Sequence, residues 1–278
     1  MKIRLIAVLM GALVFTGIFA GGARAQQQKQ KPAAAYTIEV GGSTSVTPLM
    51  ERFAAAYATV RPNARVNING TGSGDGINNA GKLYQIGMSS RDLTPVEQGS
   101  GLRQVTVAID GIAVIVNTAN PVGNLTVEQI RGIYTGEITD WGKIPGNSRS
   151  GRIAVVSREA GSGTRGAFEE IVGFQNRLVA GSTESTSTGA IIATVAGNPD
   201  AIGYISLGSI NNTIKAVLVG GVAPSSANVL NGTYRIARPF IVLTGSNVHA
   251  ESTAFVDWML GPEGQKIVKD GNWIPAKP

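Results

Sequence analysis

The chain has no cysteine, and one histidine, His249, among its 278 residues. The first absence excludes disulfides, thiolate metal sites and a lipid-bearing cysteine. The second leaves any Ser-His-Asp triad dependent on a single residue near the C-terminal end, and leaves zinc short of nitrogen and sulfur ligands. No D-x-D-x-D calcium loop and no G-x-S-x-G elbow occurs. No cofactor or metal is therefore expected, a purely carboxylate-bound Ca²⁺ or Mg²⁺ being the one metal alternative left open. Aromatic residues are 6% of the chain and charged residues 15%. No Lys/Arg cluster interleaves with aromatics, which argues against a nucleic-acid partner.

Long apolar runs are absent too, with one exception at the N-terminus. Lys2 and Arg4 precede an apolar stretch from Leu5 to Ala20, and Ala23-Arg24-Ala25 follows it. A positive start, an apolar middle and a small-x-small end predict a secretory signal peptide over residues 1–25, cleaved after Ala25. A membrane anchor would need about 20 apolar residues. The expected location is periplasmic. Three of the 24 basic residues and none of the 18 acids lie in that segment, so the rest of the chain carries a net charge of +3. Residues 26–35, QQQKQKPAAA, read as a disordered leader.

What the remainder has in quantity is alternation. Short β-branched runs (Tyr36–Val40, Arg65–Asn69, Ile112–Val116, Arg152–Val156, Lys215–Val219) are separated by helical patterns at Met50–Tyr57, Val127–Tyr134, Gly166–Val172 and Thr253–Leu260. Strand then helix, repeated, predicts an α/β fold with mainly parallel sheets.

Four junctions are rich in Gly and Ser, or in Ser and Arg, and three of them hold several of the 37 glycines. These are Gly41-Gly42-Ser43-Thr44-Ser45, Gly70 to Gly76 (GTGSGDG), Met88-Ser89-Ser90-Arg91, and Arg158 to Arg165 (REAGSGTR). The first, second and fourth lie between a strand-like and a helix-like run. A helix N-terminus offers unpaired N–H groups and partial positive charge, which suits an anion. Glycine admits close backbone approach, and Ser and Thr add donors without charge. An arginine adds a permanently charged planar fork. Any one of these loops reads equally as a helix cap and a turn. Four together exceed what capping requires.

Two other motifs in the same segments are set aside. Gly161-Ser162-Gly163-Thr164-Arg165-Gly166 matches the dinucleotide fingerprint, with Glu184 as its ribose acid. However, the unit sits mid-chain and Glu184 lies in a Ser/Thr-rich stretch without a clear strand. Gly76 to Leu83 nearly spells a P-loop, but Leu83 replaces the metal-holding hydroxyl and the segment reads as helix.

The runs GGSTSVTPLMERFAAAY, GTGSGDGI, IGMSSRDL, DGIAVIVN, NPVGNLTVEQIRGIYTGEITDW, SREAGSGTRGAFEE, STGAIIATVAGNPDAIGYISLG and GPEGQKIV resemble, in order and spacing, the phosphate-binding subunit of the bacterial phosphate ABC importer, in its shorter branch. The resemblance extends from about Tyr36 to Pro275. It implies a type II periplasmic binding-protein fold, with two α/β lobes joined by a two-strand hinge and a ligand cleft between them. The chain would cross near Ala108–Ile112 and return near Arg238–Ile241. Residues 36–108 with 242–278 would form one lobe and 109–241 the other.

The resemblance also implies a function and a site. The protein would be a monomeric solute-binding protein, not an enzyme, that captures inorganic phosphate and delivers it to a membrane permease. Another oxyanion (sulfate or molybdate-like) or an extracellular phosphatase are the alternatives. Thr44, Ser45, Ser73, Arg158, Ser162, Gly163 and Thr164 match ligand-contacting positions. Ser90 stands where longer members place an aspartate, and Ala160 where they place a second acid. A carboxylate accepts the proton of hydrogen phosphate, which sulfate lacks. Asp110 is the favoured substitute acceptor, with Asp75 the alternative, and either could instead be a structural acid. Arg91 either reaches the ligand or pairs with Asp92 or Glu97, the second being favoured.

Overall fold

The computed structural model describes residues 36–276. The expected signal peptide and leader lie outside them. Strand β1 (Tyr36–Gly42) leads through a Ser/Thr loop to α1 (Thr47–Val60), then β2 (Ala64–Gly70), α2 (Ser73–Asn79) and β3 (Ile86–Ser89). Short α3 (Pro95–Gln98) precedes the 15-residue β4 (Arg103–Asn117). There follow β5 (Asn124–Leu125), α4 (Val127–Thr135), β6 (Ala154–Arg158), α5 (Gly163–Val172), β7 (Thr183–Ser185), α6 (Thr188–Gly197) and β8 (Ala201–Ser206). The chain closes with β9 (Ile214–Ala216), β10 (Leu218–Val219), α7 (Ser226–Leu230), β11 (Ala237–Thr244), α8 (Ala250–Met259), α9 (Pro262–Asp270) and β12 (Ile274–Pro275).

The main sheet runs β2-β1-β3-β11-β4-β8-β6-β7. Its outer thirds are parallel, as expected from strand–helix alternation: β1 pairs with β2 and β3, and β6 with β7 and β8. The middle is antiparallel, which the alternation does not indicate. There β4 pairs with β11 from Arg103 to Gly111 and with β8 from Ile112 to Val116. The strand expected at Ile112–Val116 thus extends back to Arg103, and one long β4 belongs to both halves of the sheet.

Two apolar cores flank this pair. Ile38, Val40, Phe53, Met88, Phe240 and Trp273 belong to one. Ile112, Val114, Tyr134, Trp141, Phe168 and Tyr204 belong to the other. Together they give the two α/β lobes, with β4 and β11 as the hinge. Phe168 stacks on Tyr204 with ring centroids 4.2 Å apart, and Tyr134 meets both rings. This cluster fixes α5 against β8, and with it the loop that opens α5. Truncating a buried Phe costs about 3–5 kcal/mol.

Candidate anion site

Loops from both sides of the hinge bring their hydroxyls to one place. Just before α1, Ser45 Oγ lies 2.7 Å from Thr164 Oγ1 of α5 and 3.2 Å from Thr188 Oγ1 of α6. Thr44 Oγ1 lies 3.3 Å from Thr188 Oγ1. Ser43 Oγ donates to Ser90 Oγ at 2.9 Å. Ser90 Oγ lies 3.3 Å from Ser73 Oγ and 3.5 Å from Thr164 Oγ1, and Ser90 N–H donates to Ser73 Oγ. A backbone bond from Gly74 N–H to Gly161 C=O, 3.0 Å, joins the second and fourth loops. Ser43, Ser45, Ser73, Ser90 and Thr164 are all buried.

The local backbone explains why these groups are free for one another. Neither α1 nor α2 has a side-chain cap: Val46 and Gly72 hold the cap positions. Gly72 sits at φ +99°, in the region that only glycine enters without strain. The hydroxyls of Thr44, Ser45 and Ser73 are therefore not spent on their own helix ends. Ser162 is: it caps α5, accepting from Arg165 N–H, and its O–H remains able to donate. Gly163 is required on steric grounds. A Cβ there would stand 2.3 Å from Ser73 Oγ and 2.9 Å from Ser90 Oγ.

Arg158, at the end of β6, is 2% exposed. Its Nε and Nη2 donate to the two oxygens of Glu159 at 2.8 Å each, and Nε also reaches Ser185 C=O. Its N–H donates to Tyr204 Oη. Among the described residues, Nη1 has no hydrogen-bond partner. Glu159 therefore fixes the guanidinium plane and leaves one edge of it unused.

The remaining expected residues lie elsewhere. Asp110, fully buried on β4, accepts from Ser206 Oγ at 2.8 Å and from Arg238 Nη2 at 3.1 Å, and shares no hydrogen bond with the hydroxyls. Burial raises its pKa to about 6, against the pull of Arg238. Burial likewise lowers that of Arg238, whose Nε and Nη1 lack partners. Asp75 accepts from Thr71, Asn79 and Tyr84 at 2.6–2.8 Å, bonds that hold its carboxyl below the usual range, Thr71 foremost. Arg91 pairs bidentately with Glu97 at 2.7 and 2.8 Å, the structural alternative.

Of the two motifs set aside, Glu184 proves to lie on a strand after all, β7, where it pairs with Arg165 at 3.4 Å. The near-P-loop is helical to Asn79 and then turns at Gly81, φ +71°. His249 caps α8 and stacks on Tyr36 at 3.8 Å.

Two cluster members, Ser43 and Thr188, were not singled out from sequence. Ser43 lies inside a loop already noted. Thr188 follows the cap residue Ser187 and opens an apolar helical run, a signal that was present in STGAII. A cavity of about 700 Å³ between Tyr84, Val96 and His249 contains no cluster residue. Hydroxyls that close on one another leave little open space to find.

The chain matches the PBP superfamily domain over residues 26–263. It is 29% identical over 255 residues to the phosphate-binding protein PstS of Borreliella burgdorferi, covering 86% of this chain and 90% of that protein. A Clostridium perfringens protein assigned as a phosphate ABC transporter substrate-binding protein, solved with phosphate bound, is 45% identical. It superimposes with a TM-score of 0.84 over 87% of this chain and 100% of its own. An ABC-type phosphate transport receptor from Vibrio cholerae is 36% identical, with a TM-score of 0.71 over 86% of this chain and 99% of its own. The chain belongs to the PBP superfamily, among the phosphate-binding proteins of ABC phosphate transporters.

Proposed function

We propose that this protein captures inorganic phosphate between its lobes and delivers it to the membrane permease of an ABC importer. One observation carries the reading. Hydroxyls from loops on both sides of the hinge meet within 2.7–3.5 Å. The ligand set is Ser43, Thr44, Ser45, Ser73, Ser90, Arg158, Ser162, Gly163, Thr164 and Thr188. Asp110 serves as counter-ion to Arg238 in the hinge. The lobes divide as 36–108 with 242–278, and 109–241. The bound phosphate of the 45% identical Clostridium perfringens structure supports this ligand. The N-terminal pattern supports export and cleavage after Ala25. The protein acts as a monomer and performs no catalysis. His249 supports the last point, since it is engaged in capping α8 and stacking on Tyr36.

Several charge-assisted bonds of roughly 1.5–3 kcal/mol each comfortably exceed the ~8 kcal/mol that micromolar affinity needs. Calorimetric titration of refolded, anion-stripped protein with phosphate near pH 7 tests the reading. One-to-one binding at micromolar Kd or tighter is expected. Absence of phosphate binding overturns it.

A further inference from the structure

Gly166 is the fourth residue of α5, and the helix runs through it with ordinary helical backbone. The backbone therefore does not require glycine there. A glycine at such a position costs a helix about fivefold in its folding equilibrium relative to alanine. The reason for it lies outside the helix. A Cβ on Gly166 would stand 3.3 Å from Cδ and 3.9 Å from Nε of Arg91. Among the described residues, no other atom beyond its own helix and chain neighbours would lie within 4 Å of it.

Arg91 comes from the other side of the hinge, and its head group is not free. Nη1 and Nη2 donate to the two oxygens of Glu97 at 2.7 and 2.8 Å, and Nη1 also donates to Asp92 C=O. Glu97 is itself held, accepting from Thr94 N–H at 2.8 Å within the capping box of α3. The two side chains are only 20% and 21% exposed. A surface arginine ordinarily loses rotamer freedom when it packs. Here the ion pair has already taken that freedom, and the methylene stem is held as a fixed ridge against the bare Cα of Gly166. The contact joins the two lobes, yet neither residue shares a hydrogen bond with a cluster hydroxyl.

We propose that Arg91, held by Glu97, is a positioning residue that clasps the closed lobes by packing its stem into the gap left by Gly166. The inference rests on the capture reading above, because the contact forms only when the lobes meet. The clasp acts after the anion has entered. Each methylene buried favours the closed state by about fourfold, so the stem contributes about tenfold to phosphate affinity. The gain should appear in dissociation rather than in association.

The test measures Kd for phosphate by calorimetry at pH 7, and koff by chasing bound radiolabelled phosphate, on wild type, Gly166→Leu, Arg91→Ala and the double variant. Leucine suits α5 better than glycine, so Gly166→Leu should keep its ligand-free Tm, while its side chain occupies the place of the Arg91 stem. Its koff should rise at least tenfold, with kon, taken as koff/Kd, within threefold of wild type. Arg91→Ala should weaken binding about tenfold, and the double variant no further than Gly166→Leu, because all three remove one contact. Effects that multiply in the double variant, or a Gly166→Leu Kd within threefold of wild type, would mean that Arg91 braces only its own lobe, and overturn the proposal. Should circular dichroism show Gly166→Leu unfolded, the koff of Arg91→Ala decides alone, with threefold as the dividing line. Wild type that binds no phosphate overturns the capture reading, and this proposal with it.

Discussion

Gly163→Ala separates affinity from stability. Gly163 begins α5 in one lobe, and its missing side chain faces Ser73 and Ser90 in the other. A Cβ would overlap Ser73 Oγ, 2.3 Å away, and crowd Ser90 Oγ at 2.9 Å. Non-bonded contacts involving carbon settle near 3.5 Å, so the two surfaces must part by about 1 Å. That displacement carries Ser45–Thr164, Gly74–Gly161 and Ser90–Thr164, now 2.7, 3.0 and 3.5 Å, to or past the limit of hydrogen bonding. Three neutral bonds at about 0.5–1.5 kcal/mol each amount to roughly 1.5–4.5 kcal/mol, or about 10- to 1000-fold in affinity. Within α5 itself, alanine is favoured over glycine by up to about 1 kcal/mol. If the ligand-free lobes stand open, as capture between them requires, these bonds are made only on closure, and the expected variant binds phosphate about 100-fold more weakly yet melts, without ligand, at the wild-type temperature or slightly above. Calorimetry and a ligand-free thermal melt measure the two quantities. A Kd within threefold of wild type would refute the steric argument. A large fall in Tm would show that the glycine serves its own lobe instead.

Further outcomes follow from other residues. Thr188→Val keeps the shape but removes the hydroxyl that meets Thr44 and Ser45. Phosphate affinity should fall about tenfold with Tm unchanged, as calorimetry and melting will read. Arg91 depresses the pKa of Glu97 to about 2. The associated stability is present above the unfolded value of 4.5 and is lost as the pH falls towards 2. Glu97→Gln should therefore be less stable than wild type by about 1–3 kcal/mol at pH 7 and nearly equal to it near pH 2–3 by denaturant titration. Asp110 has the opposite sign. Its pKa is raised to about 6, so its contribution is largest below 3.8 and declines as the pH rises through 6. Wild type should lose ground to Asp110→Asn between pH 4 and pH 7, by up to about 3 kcal/mol. A difference that does not vary with pH would contradict the burial argument.

Much of this was legible from local pattern. The β1, β2 and β6 runs, and the loops after them, announce themselves because β-branched stretches give way abruptly to Gly and Ser. Ser45, Ser73, Ser90 and Thr164 could be read as donors from that chemistry and from family resemblance. Their mutual contacts could not, because Ser45 and Thr164 are 119 positions apart and only the strand order brings them together. Asp110 shows the limit most clearly. In sequence it is an acid beside the hinge, free to be a ligand. Its neighbour in the sheet is Arg238, paired across β4 and β11, 128 positions away. No local signal connects the two. Likewise, Gly163 reads as a backbone donor at a helix start, whereas the close approach of Ser73 and Ser90, which leaves no room for a Cβ, is visible only in the fold.

Affinity in such a site cannot be assigned to one residue or one lobe. Each neutral hydroxyl contributes little alone, and Arg158 is already largely engaged by Glu159. On the proposed reading, the donors become an anion site only when the loops before α1 and α2 meet those before α5 and α6. Whatever shifts the balance between open and closed arrangements therefore shifts affinity by the same free energy, and the anion in turn stabilises closure. The Asp110–Arg238 pair links the two strands that carry the chain between lobes. It touches none of the hydroxyls, yet a change in it that favours one hinge geometry should appear in the Kd for phosphate, through closure rather than contact. In Asp110→Asn, a change in Kd would then come with a change in the ligand-free distance between the lobes, measurable by solution scattering. A change in Kd without one would place Asp110 within reach of the ligand after all.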